Sequence, residues 1–283
     1  MELSIIIVNW NTREHLQRCL TSIENHPFHG DTEVIVIDNA SSDGSADMVA
    51  ELFPQFSLIR NSTNEGYAEG NNRGMEKCTG DYVLLLNPDT EVHEGTLDIL
   101  VRFLKDHPDA GAVSCRLIGT DGMVQSSCRS FPEPAGVLYE YFRLSRLFPK
   151  SEVFGAYRMT YFDYQSESMV DQPMASCLMI PRKTLHDVGM FDKEFPIFFN
   201  EVDWLYRAKQ KGWNAYFTPS TEIVHFGGAS TRQVKPEMMR ESHRSLARFY
   251  NKHYKSRIWP PVYWFIMGAI SINSYISSRL RHG

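Results

Sequence analysis

Residues 81–93 read DYVLLLNPDTEVH, and the way this stretch ends decides how the chain is laid out. The uncharged run from Val83 to Leu86 has the pattern of a strand covered on both faces, as inside a parallel sheet. Pro88 has no N–H and disfavours helical geometry at Asn87, so the strand stops there and Asp89 falls on the connection. Open α/β sheets bind ligands just beyond the carboxyl ends of their parallel strands. A carboxylate at that edge suits a hard divalent cation. It equally suits the cap of a following helix, and the tripeptide alone leaves both readings open.

Upstream, three more apolar runs end in the same way. Residues 3–8 are apolar and β-branched, and Leu16, Cys19, Leu20 and Ile23 then recur at helical spacing. Residues 33–37 end in DNASSDG, from Asp38 to Gly44, before a helix over 46–53. Residues 56–60 lead into NEGYAEGNN, and a helix over 67–77 closes near Gly80. Strands alternating with helices predict βαβ units, a mostly parallel sheet and strand exits that share one edge. Asn9, Asp38, Asn64 and Asp89 then lie along one rim. Each loop alone is ordinary turn chemistry. Together they suit a nucleotide, with a carboxylate accepting from a base N–H while loop amides and a cation meet the phosphates.

Downstream the pattern changes. A helix over 97–104 is followed by a strand over 111–118, a turn, and an extended segment over 123–131 that carries Gln125 and Arg129. Residues 132–164 are rich in aromatics at no clean period, which fits either an acceptor-facing loop or ordinary packing. A strand over 175–180 and a short helix over 183–188 precede a helix over 200–211. There Asn200 is placed to cap, and Asp203 and Arg207 are spaced as an i,i+4 ion pair. Glu201 sits in the first turn beside Phe198 and Phe199, where burial raises a carboxylate pKa toward useful basicity. A short strand over 221–224 delivers His225 into two glycines, as a neutral metal ligand or as an ordinary loop histidine.

The chain's 283 residues, 42% apolar, suffice for one large domain or a domain with an appendage. Five cysteines without a C-x-x-C pair argue against a disulfide framework or a thiolate zinc site, and point to a reducing, cytoplasmic compartment. The start, MELSIIIVNWN, lacks the basic opening and long apolar core of a signal peptide. The net charge of −5 divides unevenly: residues 1–236 carry −11 and residues 237–283 carry +6. An acidic body with a basic tail does not suggest nucleic-acid binding across the whole protein; it suggests a tail that meets an anionic surface, with no nucleic acid among the expected partners. Arg240, Arg244, Arg248 and Lys252 recur every fourth residue as a basic stripe beside Leu246, Phe249 and Tyr250. Residues 258–276 carry no charge, but prolines and polar residues leave them short of a span of about 20 apolar residues. The expectation is a catalytic domain over 1–236 and a helical tail over 237–283. That tail either anchors peripherally at the inner face of a membrane or packs on the domain.

Taken together, SIIIVNWN, VIDNASSDGS, NEGYAEGNNRG, LLLNPDT, ASCLMIPR, FPIFFNEVDWLYRAKQKGW and HFGGAS resemble the inverting family 2 glycosyltransferases of the GT-A fold. The likeness is closest to the bacterial branch containing rhamnosyltransferases and covers nearly all of residues 3–255. It implies a Rossmann-like, mostly parallel sheet with a mixed acceptor-side extension and C-terminal helices. Asp38 matches the family's base-reading aspartate. Asn87 to Asp89 match the N-P-D variant of its D-x-D motif, with Asp89 on Mg²⁺ or Mn²⁺ and His225 a further metal or diphosphate contact. The resemblance also places Asn9, Asn64, Gly66, Asn71 and Asn87 on the donor side. Gln125 and Arg129 match a Q-x-x-x-R segment near the active site and, with Asp203, belong to the acceptor side or its support. The family usually has Glu-Asp-Val-Asp where this chain has Asn200, Glu201, Val202 and Asp203, so the catalytic base carries over to Glu201 with one extra methylene. The implied activity is transfer of a sugar, rhamnose from dTDP-rhamnose foremost, to a glycan or lipid-linked glycan in cell-surface polysaccharide synthesis. Two other classes also use a nucleotide rim: a nucleotidyltransferase, and a non-catalytic sugar-nucleotide or carbohydrate binder. The first calls for a glycine-rich basic loop after the first strand, which Asn9 to Thr12 do not supply.

Overall fold

A computed structural model describes residues 1–228 and 235–279. Ala229 and Ser230 of the HFGGAS motif and Arg281 of the basic tail lie outside the described residues. In chain order the first half comprises β1 (Leu3–Asn9), α1 (Arg13–Asn25), β2 (Thr32–Asp38), α2 (Ser45–Leu52), β3 (Ser57–Arg60), α3 (Gly66–Lys77) and β4 (Tyr82–Leu86). There follow β5 (Thr90–Val92), α4 (Thr96–Asp106), β6 (Ala110–Ile118), β7 (Cys128–Arg129), α5 (Pro134–Tyr141), α6 (Leu144–Leu147), β8 (Ser168–Val170) and β9 (Gln172–Pro173). The last part holds β10 (Cys177–Pro181), α7 (Arg182–Val188), α8 (Asn200–Gln210), β11 (Asn214–His225), α9 (Lys235–His253) and α10 (Pro260–Arg279).

The strands β3, β2, β1 and β4 are neighbours in that order and all parallel, so their carboxyl ends open on one edge. Beyond β4 the sheet becomes mixed. β10 runs antiparallel to β4 and β6, β11 is parallel to β6, and β5 and β8 pair antiparallel with β11. Because successive strand residues point to opposite faces, β1 divides its side chains between two cores. Ile6 and Val8 join the core beneath α3 and α8, while Leu3, Ile5 and Ile7 join the core beneath α1, α2 and α4. The glycines of NEGYAEGNNRG have a specific purpose: a Cβ on Gly70 or Gly74 would collide with Val8 or Ile6, so α3 can press close to β1 only without one.

Two expected elements differ. The strand over 221–224 is the end of the much longer β11 (Asn214–His225). Thr218, Pro219 and Ser220 break its apolar pattern, and the pairing with β6 shifts register between Thr218 and Glu222, where a bulge accommodates the proline. The extended segment over 123–131 pairs only at a Val124 bridge to Ile118 and at β7, which forms a separate small sheet with β9. The aromatic stretch is divided between core, cavity and surface. Tyr164 is buried against Phe217, Tyr157 faces the cavity described below, and Tyr141, Phe142 and Phe148 are exposed.

The start of α9 nearly coincides with the expected boundary after residue 236, yet Phe249 and Tyr250 are fully buried in the same core as α8, and Ile266 of α10 joins them. The basic stripe on α9 does not stand free either. Arg248 pairs with Glu241 at 2.5 Å, and Lys252 pairs with Asp192 at 2.5 Å and Asp203 at 2.7 Å. Among the described residues, no helix is long and apolar enough to cross a membrane.

Candidate active site

The parallel strand ends, β7, β9 and the start of α8 enclose a cavity of about 850 Å³. Its wall includes Asn64, Gly66, Asn87, Asp89, Arg129, Glu201 and His225, which sequence reasoning selected from segments far apart in the chain. The wall also holds Trp10, Asn39, Tyr67, Ser176 and, from α9, Glu237, Met238 and Ser242, which it did not.

Asp89 does not cap a helix. After Asn87 and Pro88 the chain passes directly into β5, and α4 starts only at Thr96 behind Gly95, whose φ of 73° takes the capping position. The antiparallel register of β5 on β11 sets Thr90 opposite His225, and Phe226 N–H donates to the Asp89 carbonyl at 2.9 Å. That pairing brings the Asp89 carboxylate within 3.7 Å of His225 Nε2, with both side chains almost wholly buried. Asn87 is held from β10's side, donating to Ser176 Oγ at 3.1 Å through its amide and to the Ser176 carbonyl at 3.0 Å through its N–H.

Gln125 fixes the state of His225. Its Nε2 donates to the His225 carbonyl at 2.8 Å, which determines the amide orientation, so Oε1 is the atom 2.7 Å from Nδ1. An amide oxygen only accepts, hence Nδ1 carries the proton and Nε2 keeps its lone pair, 3.2 Å from Ser176 Oγ. Burial pushes the imidazole pKa down and so favours the neutral ring, outweighing the Asp89 carboxylate, which favours the protonated one. A hard carboxylate oxygen beside a neutral imidazole nitrogen is a donor pair suited to Mn²⁺ or Mg²⁺. No cluster of three or more His, Cys, Asp or Glu side chains forms a cation site among the described residues, so phosphate oxygens would have to complete the shell.

On the rim, Asn9 and Asp38 lie beneath the wall rather than on it. Asn9 Nδ2 donates to Asp38 Oδ1 at 3.0 Å, Thr12 donates to Asn9 Oδ1 at 2.6 Å, and Asp38 Oδ2 accepts from Ser41 N–H at 3.0 Å. They brace the turn that brings the part-buried Trp10 and the buried Asn39 to the cavity wall. Asn39 in turn donates to the Gly66 carbonyl at 3.0 Å, and Gly66 holds a φ of 87° against Pro196. Asn64 accepts from Gly66 N–H at 3.0 Å, whereas Asn71 is buried and donates to the Tyr67 carbonyl at 2.9 Å, off the wall.

The capping position of α8 falls on Phe199, in the left-handed region at φ 68°, not on Asn200. Asn200 is instead the first helical residue, with its amide donating to the Ile197 carbonyl at 2.9 Å. This tight entry turns Glu201 to the cavity, where burial raises its pKa against the opposing backbone N–H groups of Glu201 and Val202 and the charge of Arg129. Asp203 points the other way, into the protein. It accepts from Arg207 at 2.8 Å, as its spacing predicts, and also from His253 and Lys252 at 2.7 Å each. Asp203 therefore joins α8 to α9 and does not reach the cavity wall.

Ser176 left a signal in the ASCLMIPR motif, but a strand reading gave its hydroxyl no partner. Trp10 and the α9 residues left none, because their part depends on tertiary placement.

The sequence pattern of Glycosyl transferase family 2 matches residues 4–166, more than half of the chain, and the chain belongs to that family. Over 98% of its length it is 26% identical to an N-acetylglucosaminyl-diphospho-decaprenol L-rhamnosyltransferase of Mycobacterium tuberculosis, covering 93% of that protein. It is 25% identical, over 79% of its length and 67% of the relative's, to the low-salt glycan biosynthesis hexosyltransferase Agl10 of Haloferax volcanii. Among solved structures it resembles the mannosyltransferase PcManGT of Pyrobaculum calidifontis in complex with GDP-Man and Mn²⁺, with TM-score 0.59, 18% identity and coverage of 98% of this chain and 72% of that one. The S. aureus TarS 1–349 complex with UDP-GlcNAc gives TM-score 0.59 at 17% identity, covering 99% of this chain and 74% of that one. The fold is the GT-A fold.

Proposed function

We propose that this family 2 glycosyltransferase is an inverting enzyme that moves a sugar, rhamnose from dTDP-rhamnose foremost, onto a lipid-linked glycan in cell-surface polysaccharide synthesis. The observation that carries the reading is that Glu201 and the Asp89–His225 pair share one cavity. Asp89 and His225 Nε2 would hold Mn²⁺ or Mg²⁺, and the imidazole favours Mn²⁺. When bound, the cation neutralises charge on the leaving nucleoside diphosphate. Glu201 takes the proton from the acceptor hydroxyl, which attacks the anomeric carbon from the side opposite the leaving group and inverts it. Asp38 braces the nucleotide rim, and Asn64, Gly66 and Asn87 line the donor side, with Arg129 beside the acceptor. The mycobacterial relative, aligned over nearly its whole length, supports both rhamnose and an N-acetylglucosaminyl diphospho-lipid as acceptor. Such an acceptor resides in a membrane, so the domain over 1–236 would work at that surface through the tail over 237–283, from the cytoplasmic side.

Thermal stabilisation by dTDP-rhamnose, UDP-sugars and GDP-sugars, each with Mn²⁺, ranks the donors because bound ligand stabilises the fold by mass action. Transfer of labelled rhamnose to an N-acetylglucosaminyl diphospho-lipid then tests the reading. Binding of a donor without transfer to any such acceptor overturns it in favour of a non-catalytic binder. Asp89→Ala is expected to abolish metal-dependent donor binding by calorimetry. Gln125→Leu, which frees the His225 tautomer, should weaken Mn²⁺ binding about 10–100-fold by electron paramagnetic resonance titration. Unchanged Mn²⁺ affinity in both variants would remove the metal assignment.

A further inference from the structure

Helix α10 is apolar on two opposite sides. Tyr263, Ile266, Ala269 and Ile270 follow helical spacing and are buried against the domain. On the far side Trp264 is 66% exposed, Phe265 55% and Ile272 52%, with Trp259, 70% exposed, just ahead of the helix. Between Ile258 and Ser278 the chain has no charged residue. A helix packed on one side ordinarily turns charged or polar residues to water on the other. This one turns Trp264, Phe265 and Ile272 outward with only the uncharged Ser271 beside them among its described side chains after the opening prolines, and among the described residues no helix is both long and apolar enough to cross a bilayer.

A second element adjoins it. Helix α5 packs against α10, and from its last residue onward Tyr141, Phe142, Leu147 and Phe148 are exposed, through α6 and its flanks. Interleaved with them are Arg143, Arg146 and Lys150, all exposed, and none has an acidic partner among the described residues. Lys255, between α9 and α10, is likewise exposed, and from residue 242 to the end the sequence has no acid. Cations that stand free are therefore grouped beside the bare aromatic side chains, whereas Arg248 and Lys252 of the α9 stripe are already paired.

We propose that the outer face of α10 and the segment 141–150 together form a docking surface for a membrane containing anionic phospholipid. Tryptophan and tyrosine settle at headgroup depth, and the neighbouring cations meet lipid phosphates, while the body, at −11 over residues 1–236, is held off the same surface. A second copy of the chain fits less well. A two-fold interface through this face would set Arg143, Arg146, Lys150 and Lys255 against the same charges on its mate. This surface rests on the reading that the acceptor is lipid-linked, since it explains how the cavity is kept at the membrane.

The test is sedimentation of the full chain with vesicles of phosphatidylglycerol and phosphatidylcholine at low salt, beside vesicles of phosphatidylcholine alone. Expected is binding to the anionic vesicles with a blue shift of tryptophan fluorescence. Trp264→Ser with Phe265→Ser should reduce partitioning by at least roughly tenfold. Arg143→Ser with Arg146→Ser should reduce it by about fivefold per cation and flatten its salt dependence. Unchanged donor-induced thermal stabilisation shows that both variants are folded. No sedimentation with anionic vesicles, equal binding by the four substituted positions, or a dimer in light scattering that Trp264→Ser dissociates would overturn the surface. Transfer to a short-chain, water-soluble acceptor is measured alongside. Vesicle binding without transfer refutes the acceptor reading and leaves the surface standing; transfer without vesicle binding does the reverse.

Discussion

Glu201 and Asp203 stand two residues apart on α8, yet the two sides of that helix treat their carboxylates in opposite ways. Glu201 faces the cavity, and burial outweighs the groups that would favour its charge, so its pKa is raised. Asp203 faces α9. Burial pushes its pKa up as well, but hydrogen bonds from His253, Lys252 and Arg207 outweigh that and hold it at about 2. A carboxylate and its burial do not by themselves separate the proposed base from the brace; the presence of partnered cations does. The side of α8 with cations is suited to holding a helix in place, and the side without them is suited to accepting a proton.

The largest test of that contrast is Glu201→Gln. It should lower kcat by on the order of 10²–10⁴ while leaving donor binding and thermal stability nearly intact, as steady-state kinetics and a melting curve would show. A normal turnover number in this variant removes Glu201 from the chemistry.

Asp203→Asn should invert the pattern. It removes the charge that the Arg207 and Lys252 cations and the His253 ring share, at a cost of about 3 kcal/mol in unfolding free energy, and the molecules that stay folded should turn over at close to the normal rate. Acid separates the two residues without mutation. Asp203's folded pKa of about 2 lies below its ordinary 3.8, so its contribution of about 2 kcal/mol is present above that value and is lost as pH falls toward 2. Glu201's raised pKa places the fall in kcat at higher pH than that. There should thus be a range in which lowering the pH stops catalysis reversibly while circular dichroism reports an intact fold. Simultaneous loss of both signals would mean that the two carboxylates do not differ as described.

How much of this was legible in the sequence depends on the distance over which each feature is specified. The parallel half was readable because Val83 to Leu86, and the runs ending at Asn9 and Asp38, carry strand, exit and turn in local composition. The ion pair of Asp203 with Arg207 was readable for the same reason, as a spacing on one helix. His253 and Lys252, some fifty residues on, were not, nor was the pairing of β5 with β11 that sets Asp89 beside His225. The capping reading of Asp89 failed because a three-residue strand is too short to leave a period in the sequence. Asn9 and Asp38 were placed on the correct rim, but only their hydrogen bonds to Thr12 and Ser41 reveal that they support the wall from beneath. Long-range pairing decides which polar residues of a loop face the ligand, and composition carries no record of it.

Arg129 offers the finest test of the contrast, because it is the charge that reaches Glu201 from across the cavity. It sits on β7, opposite Gln172 of β9, with its guanidinium 5.9 Å from the centre of the Tyr157 ring, and its charge lowers the Glu201 pKa without forming an ion pair such as those at Asp203. Arg129→Met keeps the stem and removes the charge. The acid limb of kcat should then move to higher pH, because Glu201 loses the cation that favoured its ionised form. Below the limb the rate falls by up to roughly tenfold per pKa unit gained, and above it the rate is nearly unchanged. A limb that stays in place would show that Arg129 acts only on acceptor binding, visible in KM. A rate loss at all pH values would instead mean that the cavity side of α8, like the α9 side, depends on a partnered cation.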